Sequence, residues 1–552
     1  MKATETLAAI GLLTLCCLTM SGKTNVRRKI VDEGGSGPYK AEAREEKTFP
    51  DAVIYKPVDL KAAVAAEGGL PVLVFANGGC NDTSLPHERM LTEVASRGYV
   101  VIALGSMQFS IDDRPLKKSP NSQMTDAMDW IAAQNLTRKS EYFGTIDTDK
   151  IAVAGQSCGG AQALYNAADP RVKTCVMVNS GMGDFEMSDA SAANLEHLHS
   201  PILCLEGGPS DVAYANGCKD YERIDNVFAA FANHLTAGHV GDFGDIYGGS
   251  FAKMLTAWLD WQLKENEEQG RIFTESRLED YPGWTTKAKD PSGWKNEPFY
   301  VMEVHCTNDR GNNLYGKLYM PDNGQDRKPL AILAHGYNSS YHEVEAYAET
   351  LAQVGIAAYI FDFAGGAVTS RSEGKSIEMS VFTEADDIAS VVKMVKSWPF
   401  IDAGRVSLAG CSQGGLVAAI ASSQMPEEFK SVVLVYPAFS IAEHAVTVHP
   451  KEAITSETGF PVMGLPLSHV YYDKLIGYDV FSEMTKYKGD VMIVYGDKDP
   501  IAAGDYIERA QKAYRSCEVN VVPDGAHGFP ESHTHVVANK HIVDFFLKTL
   551  CR

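Results

Sequence analysis

The sequence predicts an α/β fold made of two domains in tandem, each a mostly parallel sheet flanked by helices. Its 552 residues, 45% of them hydrophobic, are enough for two large cores. Short apolar segments rich in β-branched residues alternate with amphipathic segments along most of the chain, which is typical of βα units. In addition, "GQSCGG" (155–160) and "GCSQGG" (410–415) occur once in each half, directly after such an apolar segment.

The first domain is expected at 22–264. Its predicted strands are 71–76, 99–104, 151–155, 174–179, 201–206 and 227–232, and apolar residues at helical spacing predict a closing helix over 251–264. Residues 265–297 are polar and punctuated by proline and glycine, so we expect a linker there.

The second domain is expected at 298–552. It opens with a predicted hairpin around "NDRGN" (308–312). The strands that follow are predicted at 330–335, 357–363, 406–410, 431–436, 490–496 and 518–522, with a closing helix at 541–550.

Residues 1–21 have the pattern of an export signal: Lys2, an apolar stretch from Leu7 to Met20, and the small Ser21 at the cleavage point. The alternatives are a buried N-terminal helix and a lipid anchor on Cys16. We expect a secreted or periplasmic protein without an integral membrane span. The net charge of −21 argues against nucleic acid or an anionic membrane as a partner.

Each Gly-x-Ser-x-Gly motif predicts a nucleophile elbow. Its serine, Ser157 or Ser412, would lie on a sharp turn between strand and helix, where glycines permit close approach of the backbone. An ordinary serine in a βα turn is the alternative, so the assignment depends on finding a base and an acid.

A serine nucleophile needs a histidine base and an orienting acid, and in this topology the acid precedes the base along the chain. Asp211 and His239 follow two predicted strands of the first domain, and Asp499 and His527 follow the matching strands of the second. The acid and the base are 28 residues apart in both domains. We therefore predict the triads Ser157–Asp211–His239 and Ser412–Asp499–His527.

Other acids and one other histidine compete for these roles. Asp499 is favoured over its neighbour because it and Asp211 both lie three positions after a glycine. The competing acids of the first domain follow His239 and so break the expected order, and the competing histidine lies at a strand end. These alternatives are Asp497, Asp242, Asp245 and His234.

An oxyanion intermediate needs two preorganised backbone N–H donors. One is expected from the residue after each serine, and the other from the loop after an early strand, "FANGGC" (75–80) or "LAHGYN" (333–338). We assign the donors to Gly79 and Cys158 in the first domain and to Tyr337 and Gln413 in the second.

The acid follows the serine by 54 residues in the first domain and by 87 in the second. The 33 extra residues fall in 438–486, where we expect a small cap. Such a cap can hold an aromatic acyl group, although its aromatic residues could instead pack its own core. The residues assigned to substrate binding are Tyr337, Phe439, Tyr471, Tyr472 and Phe529.

Nine cysteines remain after the export signal, an odd number, and none forms a C-x-x-C motif, so a structural zinc site is not expected. Cys80 follows Gly79, and Cys158 follows Ser157. The fold should bring their backbones close, so the two either form a disulfide or remain two buried thiols.

These motifs resemble those of α/β-hydrolases over nearly the whole chain. The second half is similar to bacterial cinnamoyl (feruloyl) esterases in "HGYNSS" (335–340), "GDKDPI" (496–501), "DGAHGF" (524–529) and the cap segment 464–484. It departs from them in "FDFAGGAVTSRSEG" (361–374), where Gly366 and Ala367 replace a basic residue and a glycine. The first half resembles the dienelactone-hydrolase and polyesterase-like branch, which has little or no cap.

The resemblance implies acyl transfer to serine and then to water, with no metal or organic cofactor. It implies feruloyl or cinnamoyl esters as substrates of the second domain and acetyl or other small acyl esters as substrates of the first. The esters would be small molecules or groups on plant polysaccharides. Two rival interpretations are a serine exopeptidase of the prolyl-oligopeptidase type and a pair in which one domain only binds.

Overall fold

A computed structural model describes residues 26–551 of the chain. The predicted export signal and Cys16 lie outside these residues. The α-helices are α1 (Leu60–Glu67), α2 (Glu88–Ser96), α3 (Ser122–Leu136), α4 (Cys158–Asn166), α5 (Tyr214–Arg223), α6 (Gly249–Lys264), α7 (Glu267–Thr274), α8 (His342–Gln353), α9 (Val381–Lys396), α10 (Gln413–Gln424), α11 (Ser440–Val448), α12 (Lys451–Thr455), α13 (Val470–Asp473), α14 (Val480–Met484), α15 (Gly504–Ala513) and α16 (Ser532–Leu550).

The strands form two large sheets and two short hairpins. The first sheet contains β1 (Arg28–Lys29), β2 (Ala41–Glu46), β3 (Phe49–Pro57), β4 (Leu70–Ala76), β5 (Val100–Leu104), β6 (Ile146–Gln156), β7 (Val172–Val178), β8 (Ile202–Glu206), β9 (Ala229–His234), β10 (Trp284–Lys289) and β11 (Lys295–Asn296). The second contains β12 (Phe299–Glu303), β15 (Gly316–Pro321), β16 (Lys328–Ala334), β17 (Ala357–Phe361), β18 (Ile401–Cys411), β19 (Ser431–Val435), β22 (Asp490–Gly496) and β23 (Ser516–Val522). The hairpins are β13 (Cys306–Thr307) with β14 (Asn313–Leu314), and β20 (Phe460–Val462) with β21 (Leu465–Leu467).

Both sheets share one strand order. The first runs β3-β5-β4-β6-β7-β8-β9 through its middle, and the second runs β15-β17-β16-β18-β19-β22-β23. In each series the first strand is antiparallel and the others are parallel. Helices cover both faces, which explains why the parallel strands are apolar on both sides. The predicted fold class, two tandem α/β domains, is confirmed.

The strand register brings the predicted site loops together. Ala76, the last residue of β4, pairs with Gly155 of β6, and Ala334 of β16 pairs with Gly410 of β18. In each sheet the chain leaves this central strand in one direction and returns on its other side. Such a switch point, at the carboxyl ends of the strands, is where α/β folds place their ligand sites.

Residues 265–297, expected to be a linker, differ from that expectation. They contain α7, β10 and β11, and β10 pairs antiparallel with β9, so the segment extends the first sheet. Phe273 and Trp284 are buried in the first core, where they anchor a segment whose composition is mostly polar.

Residues 438–486, where the cap was predicted, lie between β19 and β22. They contain α11 to α14 and the β20–β21 hairpin, and we refer to them as the cap. Between β7 and β8, the corresponding place in the first domain, the described structure has one 3₁₀ helix, Ala192–His197. No helix within residues 26–551 is long and apolar enough to cross a membrane.

Two candidate active sites

The two Gly-x-Ser-x-Gly motifs form matching strained turns. Ser157 lies between β6 and α4 with φ 54° and ψ −120°, and Ser412 lies between β18 and α10 with φ 53° and ψ −118°. A positive φ is unfavourable for serine and marks stored strain. The glycine two residues earlier is required: a Cβ on Gly155 or on Gly410 would lie 2.0 Å from a carbonyl oxygen of the following helix.

The first domain brings its predicted triad into hydrogen-bond contact. His239, in the loop after β9, has Nε2 2.9 Å from Ser157 Oγ and Nδ1 2.7 Å from Asp211 Oδ1. Asp211 lies in the loop after β8, so the acid and the base come from adjacent strands. The imidazole is held between the hydroxyl and the carboxylate, which is the geometry that general-base activation of serine needs.

The second domain repeats the arrangement. His527 Nε2 lies 2.8 Å from Ser412 Oγ, and its Nδ1 lies 2.8 Å from Asp499 Oδ2. The acid follows β22 and the base follows β23, the strands that correspond to β8 and β9. The 28-residue spacing found in the sequence therefore reflects two structurally equivalent pairs.

Both acids are held in the ionised form. Burial by itself raises the pKa of Asp211 and of Asp499, but hydrogen bonds outweigh it and hold each pKa below its usual value. Asp211 accepts hydrogen bonds from His239, the Ala213 N–H at 2.8 Å and Asn179 Nδ2 at 2.6 Å. Asp499 accepts from His527 and from two backbone N–H groups just beyond it, at 2.8 and 3.0 Å.

The competing residues have other roles or positions. His234 is buried beside the second domain, and its Nδ1 accepts a hydrogen bond from the Thr236 N–H. Asp242 accepts hydrogen bonds from the Ser250 and Phe251 N–H groups at the start of α6. Asp497 and Asp245 are exposed, and neither bonds to the histidine of a triad.

In the loop after β4, the Gly79 N–H has no acceptor among residues 26–551. The N–H groups of Cys80 and Asn81 are bound to the Asn77 and Gly78 carbonyl oxygens. Gly79 itself has φ 63°, which glycine adopts without strain. Cys158 begins α4, and the first N–H groups of a helix lack intrahelical acceptors. This geometry fits the predicted pair of donors.

The loop after β16 has the corresponding arrangement. The Gly336 N–H donates to Glu343 Oε2 at 2.7 Å, whereas the next N–H, that of Tyr337, has no acceptor among the described residues and fits the predicted donor. Gln413 begins α10 and offers a first-turn N–H. Glu343 also accepts a hydrogen bond from Tyr436 Oη at 3.1 Å, so one carboxylate braces the loop against the end of β19.

Cys80 and Cys158 form a disulfide, with their Cα atoms 5.1 Å apart. This bond is one of the two alternatives left open by the sequence, and the structure confirms it. It links the loop that contains Gly79 to the first residue of α4. The other cysteines of the described residues are unbridged.

The residues assigned to substrate binding lie deeper than expected. Phe439 is 0% exposed and packs against Phe481, and Tyr472 is 0% exposed with its Oη bonded to His449. Their positions do not support direct contact with substrate, because both side chains are packed in the hydrophobic core of the second domain. Tyr471 and Phe529 are also buried, and Tyr337 is half-buried.

Two residues beside the triads were missed by the sequence reasoning. Asn179 and Tyr436 occupy the same position, directly after β7 and β19, and both have a positive φ. The Asn179 amide binds Asp211, whereas the Tyr436 ring packs edge-on with its centroid 5.0 Å from that of His527. The only signal in the sequence is their place at the end of a strand.

A cavity of about 490 Å³ lies beside the first triad. Gly78 and Gln156 line it next to the elbow, and Gln156 Nε2 donates to the His239 carbonyl oxygen at 2.9 Å. Ile111, Leu116 and Val240 supply apolar surface, and all three are exposed. Within the described residues, no group of three or more His, Cys, Asp or Glu side chains is arranged to hold a metal ion.

Comparisons with known proteins match each half separately. Residues 45–267 match the model of the PET hydrolase-like family, and residues 325–469 match that of the serine aminopeptidase S33 family. The acylamino-acid-releasing enzyme of Rattus norvegicus is 24% identical over 229 residues, which are 39% of this chain and 31% of that enzyme. The hydrolase ffsE of Aspergillus flavipes is 34% identical over 117 residues, 20% of this chain and 26% of that protein.

The chain thus spans about a third or less of these two relatives. Among solved structures, Est1E from Butyrivibrio proteoclasticus with ferulic acid bound is 26% identical, with a TM-score of 0.41; the match covers 45% of this chain and 100% of that one. The hydrolase GrgF from Penicillium is 15% identical, with a TM-score of 0.38, and the match covers 46% of this chain and 100% of that one. The two family models, the shared strand order and the paired elbows together identify both halves of the chain as α/β-hydrolase domains.

Proposed function

We propose that this protein is an exported serine carboxylesterase with two active sites, at Ser157 and at Ser412. The observation that carries the proposal is the Ser–His–Asp triad in each domain, in which every hydrogen bond is between 2.7 and 2.9 Å long. The free N–H donors beside each serine complete the set of groups that acyl transfer needs.

Each triad catalyses ester hydrolysis in two stages. His Nε2 takes the proton of the serine hydroxyl as Oγ attacks the ester carbonyl carbon, and the two backbone N–H groups stabilise the oxyanion. The same histidine then protonates the departing alcohol, which leaves an acyl-serine. A water molecule attacks that acyl group while the histidine takes its proton; the bond between the acyl carbon and serine Oγ then breaks, the histidine returns the proton to Oγ, and the acid is released.

The two sites should differ in the acyl group that they accept. In the second domain, the half-buried Tyr337 directly follows Gly336, where an added Cβ would lie 3.0 Å from Ser412 Cβ, and its hydroxyl is bonded to the cap; an aromatic ring in this place suits a planar hydroxycinnamoyl group. The described structure of the first domain has no comparable insertion between β7 and β8, and the chain neighbours Gln156 of Ser157 and Val240 of His239 line a cavity, which suits acetyl or other small acyl groups. Esters on plant polysaccharides would reach both sites.

Export rests on the N-terminal pattern and on one structural feature. Lys2, the apolar stretch and Ser21 have the layout of a cleaved signal. The Cys80–Cys158 disulfide suits an oxidising compartment, since cytosolic thiols are kept reduced.

The test is to replace each serine separately by alanine and to measure hydrolysis of methyl ferulate and of an aryl acetate. Ser412→Ala should lose most ferulate hydrolysis, and Ser157→Ala should retain it. The double variant should lose both activities by roughly a million-fold in turnover. Labelling with a fluorophosphonate, followed by peptide mapping, should modify both serines. Normal activity in the double variant would refute the proposal, and equal loss of ferulate hydrolysis in both single variants would refute the division of substrates.

A second candidate is removal of acylated amino acids from peptides, which the similarity to the rat acylamino-acid-releasing enzyme favours. The same triads could cleave such amides. An N-acetyl-alanyl anilide distinguishes the two proposals: turnover of that amide above turnover of the aryl acetate would favour the peptidase.

A further inference from the structure

The cap of the second domain contacts both residues that supply the proposed oxyanion donors. Tyr337 Oη donates a hydrogen bond to the carbonyl oxygen of Val462, on the β20–β21 hairpin, at 2.7 Å. Tyr471 Oη, from α13, donates to the Gln413 side-chain oxygen, also at 2.7 Å. Each of the two donor residues is therefore bound, through its own side chain, by a different residue of the cap.

The contact to Gln413 is buried, and further contacts join the loop to the cap. Gln413 is 0% exposed, and its Nε2 donates to Glu384 of α9 at 2.9 Å, so both ends of the amide are fixed. The Tyr337 and Tyr471 rings pack edge to face, with their centroids 6.4 Å apart. The neighbouring Asn338 adds a further bond from the loop to the cap, from Nδ2 to the Met463 carbonyl oxygen at 3.2 Å.

We propose that the cap serves as a positioning element for the oxyanion hole of the second site, with Tyr471 acting through Gln413 and the Val462 carbonyl acting through Tyr337. This inference rests on the proposed function of Ser412. Oxyanion donors are effective only when they are fixed before charge develops, so a cap that fixes both residues raises turnover for every acyl group. It does so even for acyl groups too small to reach the cap.

The first domain meets the same need without a cap. There the Cys80–Cys158 disulfide joins the loop that contains Gly79 directly to the residue after Ser157. The two domains therefore tie together the same two segments, one by a covalent bond and the other through an inserted cap. This parallel supports a positioning role for the cap contacts, in addition to any contact with substrate.

The test uses the full chain carrying Ser157→Ala, so that only the second site is measured. Tyr471→Phe and Tyr337→Phe each remove one hydroxyl and keep the ring and the backbone donor. Each should lower kcat roughly three- to tenfold, the effect of losing one hydrogen bond. The loss should be equal for an aryl acetate and for methyl ferulate, with KM changed less than about twofold in both cases.

Tyr478→Phe is the matched control. Tyr478 is a cap tyrosine that packs against Phe382, and its buried Oη has no hydrogen-bond partner within the described residues. Loss of the Tyr478 hydroxyl should leave hydrolysis of both esters unchanged. Equal loss in all three variants would show general destabilisation of the cap and would overturn the inference.

Two other outcomes also overturn it, and they are distinguishable. A loss confined to methyl ferulate would mean that the tyrosines only contact substrate. If the Ser157→Ala background hydrolyses neither ester and Ser412 takes up no fluorophosphonate, the proposed function itself fails, and the inference fails with it.

Discussion

At the scale of single residues, the two elbows depend on glycines that have no room for a side chain. Ser157 and Ser412 take a backbone conformation that serine rarely adopts, and the surrounding atoms hold them there. Gly155 and Gly410 contact the backbone of Gly159 and Gly414 so closely that even a methyl group would overlap it. The strain is thus maintained by packing of backbone against backbone.

Gly410→Ala should therefore displace Ser412. A shift of about 1 Å at a nucleophile costs roughly a hundredfold in rate, so we expect at least that loss of turnover at the second site. Gly404→Ala, on the same strand, is the control, because its Cβ would meet only the Asp402 side chain at 3.4 Å, an ordinary contact. Kinetics on a Ser157→Ala background would compare the two, and full activity of Gly410→Ala would contradict the packing argument.

The triads could be predicted from the sequence because their members follow strands at fixed intervals. Asn179 and Tyr436 could not, although each contacts a member of a triad. Their roles depend on which loop faces them across the sheet, and neither side chain is of a type that points to catalysis. Phe439 is the opposite case: an aromatic residue in a cap suggests a substrate contact, whereas the structure buries its side chain completely.

At the scale of elements, the predicted strands of the parallel core and the predicted hairpin around 308–312 agree with the structure, whereas β1 to β3 and β10 of the first sheet were not predicted. β1 consists of Arg28 and Lys29 alone, and β2, β3 and β10 carry charged residues among their apolar ones, so their apolar periodicity is weak. The disulfide is a covalent contact between elements: it joins the loop after β4 to α4 across a sequence separation of 78 residues. A bridge closing a loop of this size typically stabilises a fold by about 2–4 kcal/mol.

Reducing this bridge should impair the first site alone. Loss of a whole oxyanion donor costs a hundredfold or more, so a donor that is only loosened should cost roughly tenfold in turnover. The measurement is aryl acetate hydrolysis with and without a thiol reductant, on Ser412→Ala and Ser157→Ala backgrounds, with alkylation to confirm reduction. Cys80→Ser should reproduce the effect, and Cys551→Ser, at an exposed free cysteine, should not. If the first site keeps its full activity after complete reduction of the disulfide, the proposed role of this bridge is contradicted.

At the scale of the whole molecule, the two domains meet along β10 and α8. Thr236 Oγ1 of the first domain lies 3.2 Å from Ser532 Oγ of the second. Glu349, on α8, is buried against Asn233 and Tyr214 of the first domain. Burial, together with the nearby charge of Glu345, raises the pKa of Glu349 to about 8, despite the opposing charge of Lys287 and a hydrogen bond with Asn233.

This buried acid should make the folded protein less stable as the pH rises. The unfolded chain releases the Glu349 proton near pH 4.3, whereas the folded protein keeps it up to about pH 8, so stability falls between these values by at most about 1.4 kcal/mol per pH unit. Glu349→Gln removes that proton equilibrium, and its melting temperature should exceed that of the parent increasingly from pH 5 to pH 8. Glu345, one turn earlier, should change the stability of the folded protein with pH in the opposite direction. Although burial opposes it, hydrogen bonds from Lys317 and Tyr319 lower its pKa, so Glu345→Gln should destabilise at pH 7 and lose that effect as the pH falls through the lowered pKa of Glu345. A Glu349→Gln variant that melts below the parent at pH 8 would show that the carboxyl is ionised in the folded protein and paired across the domain boundary.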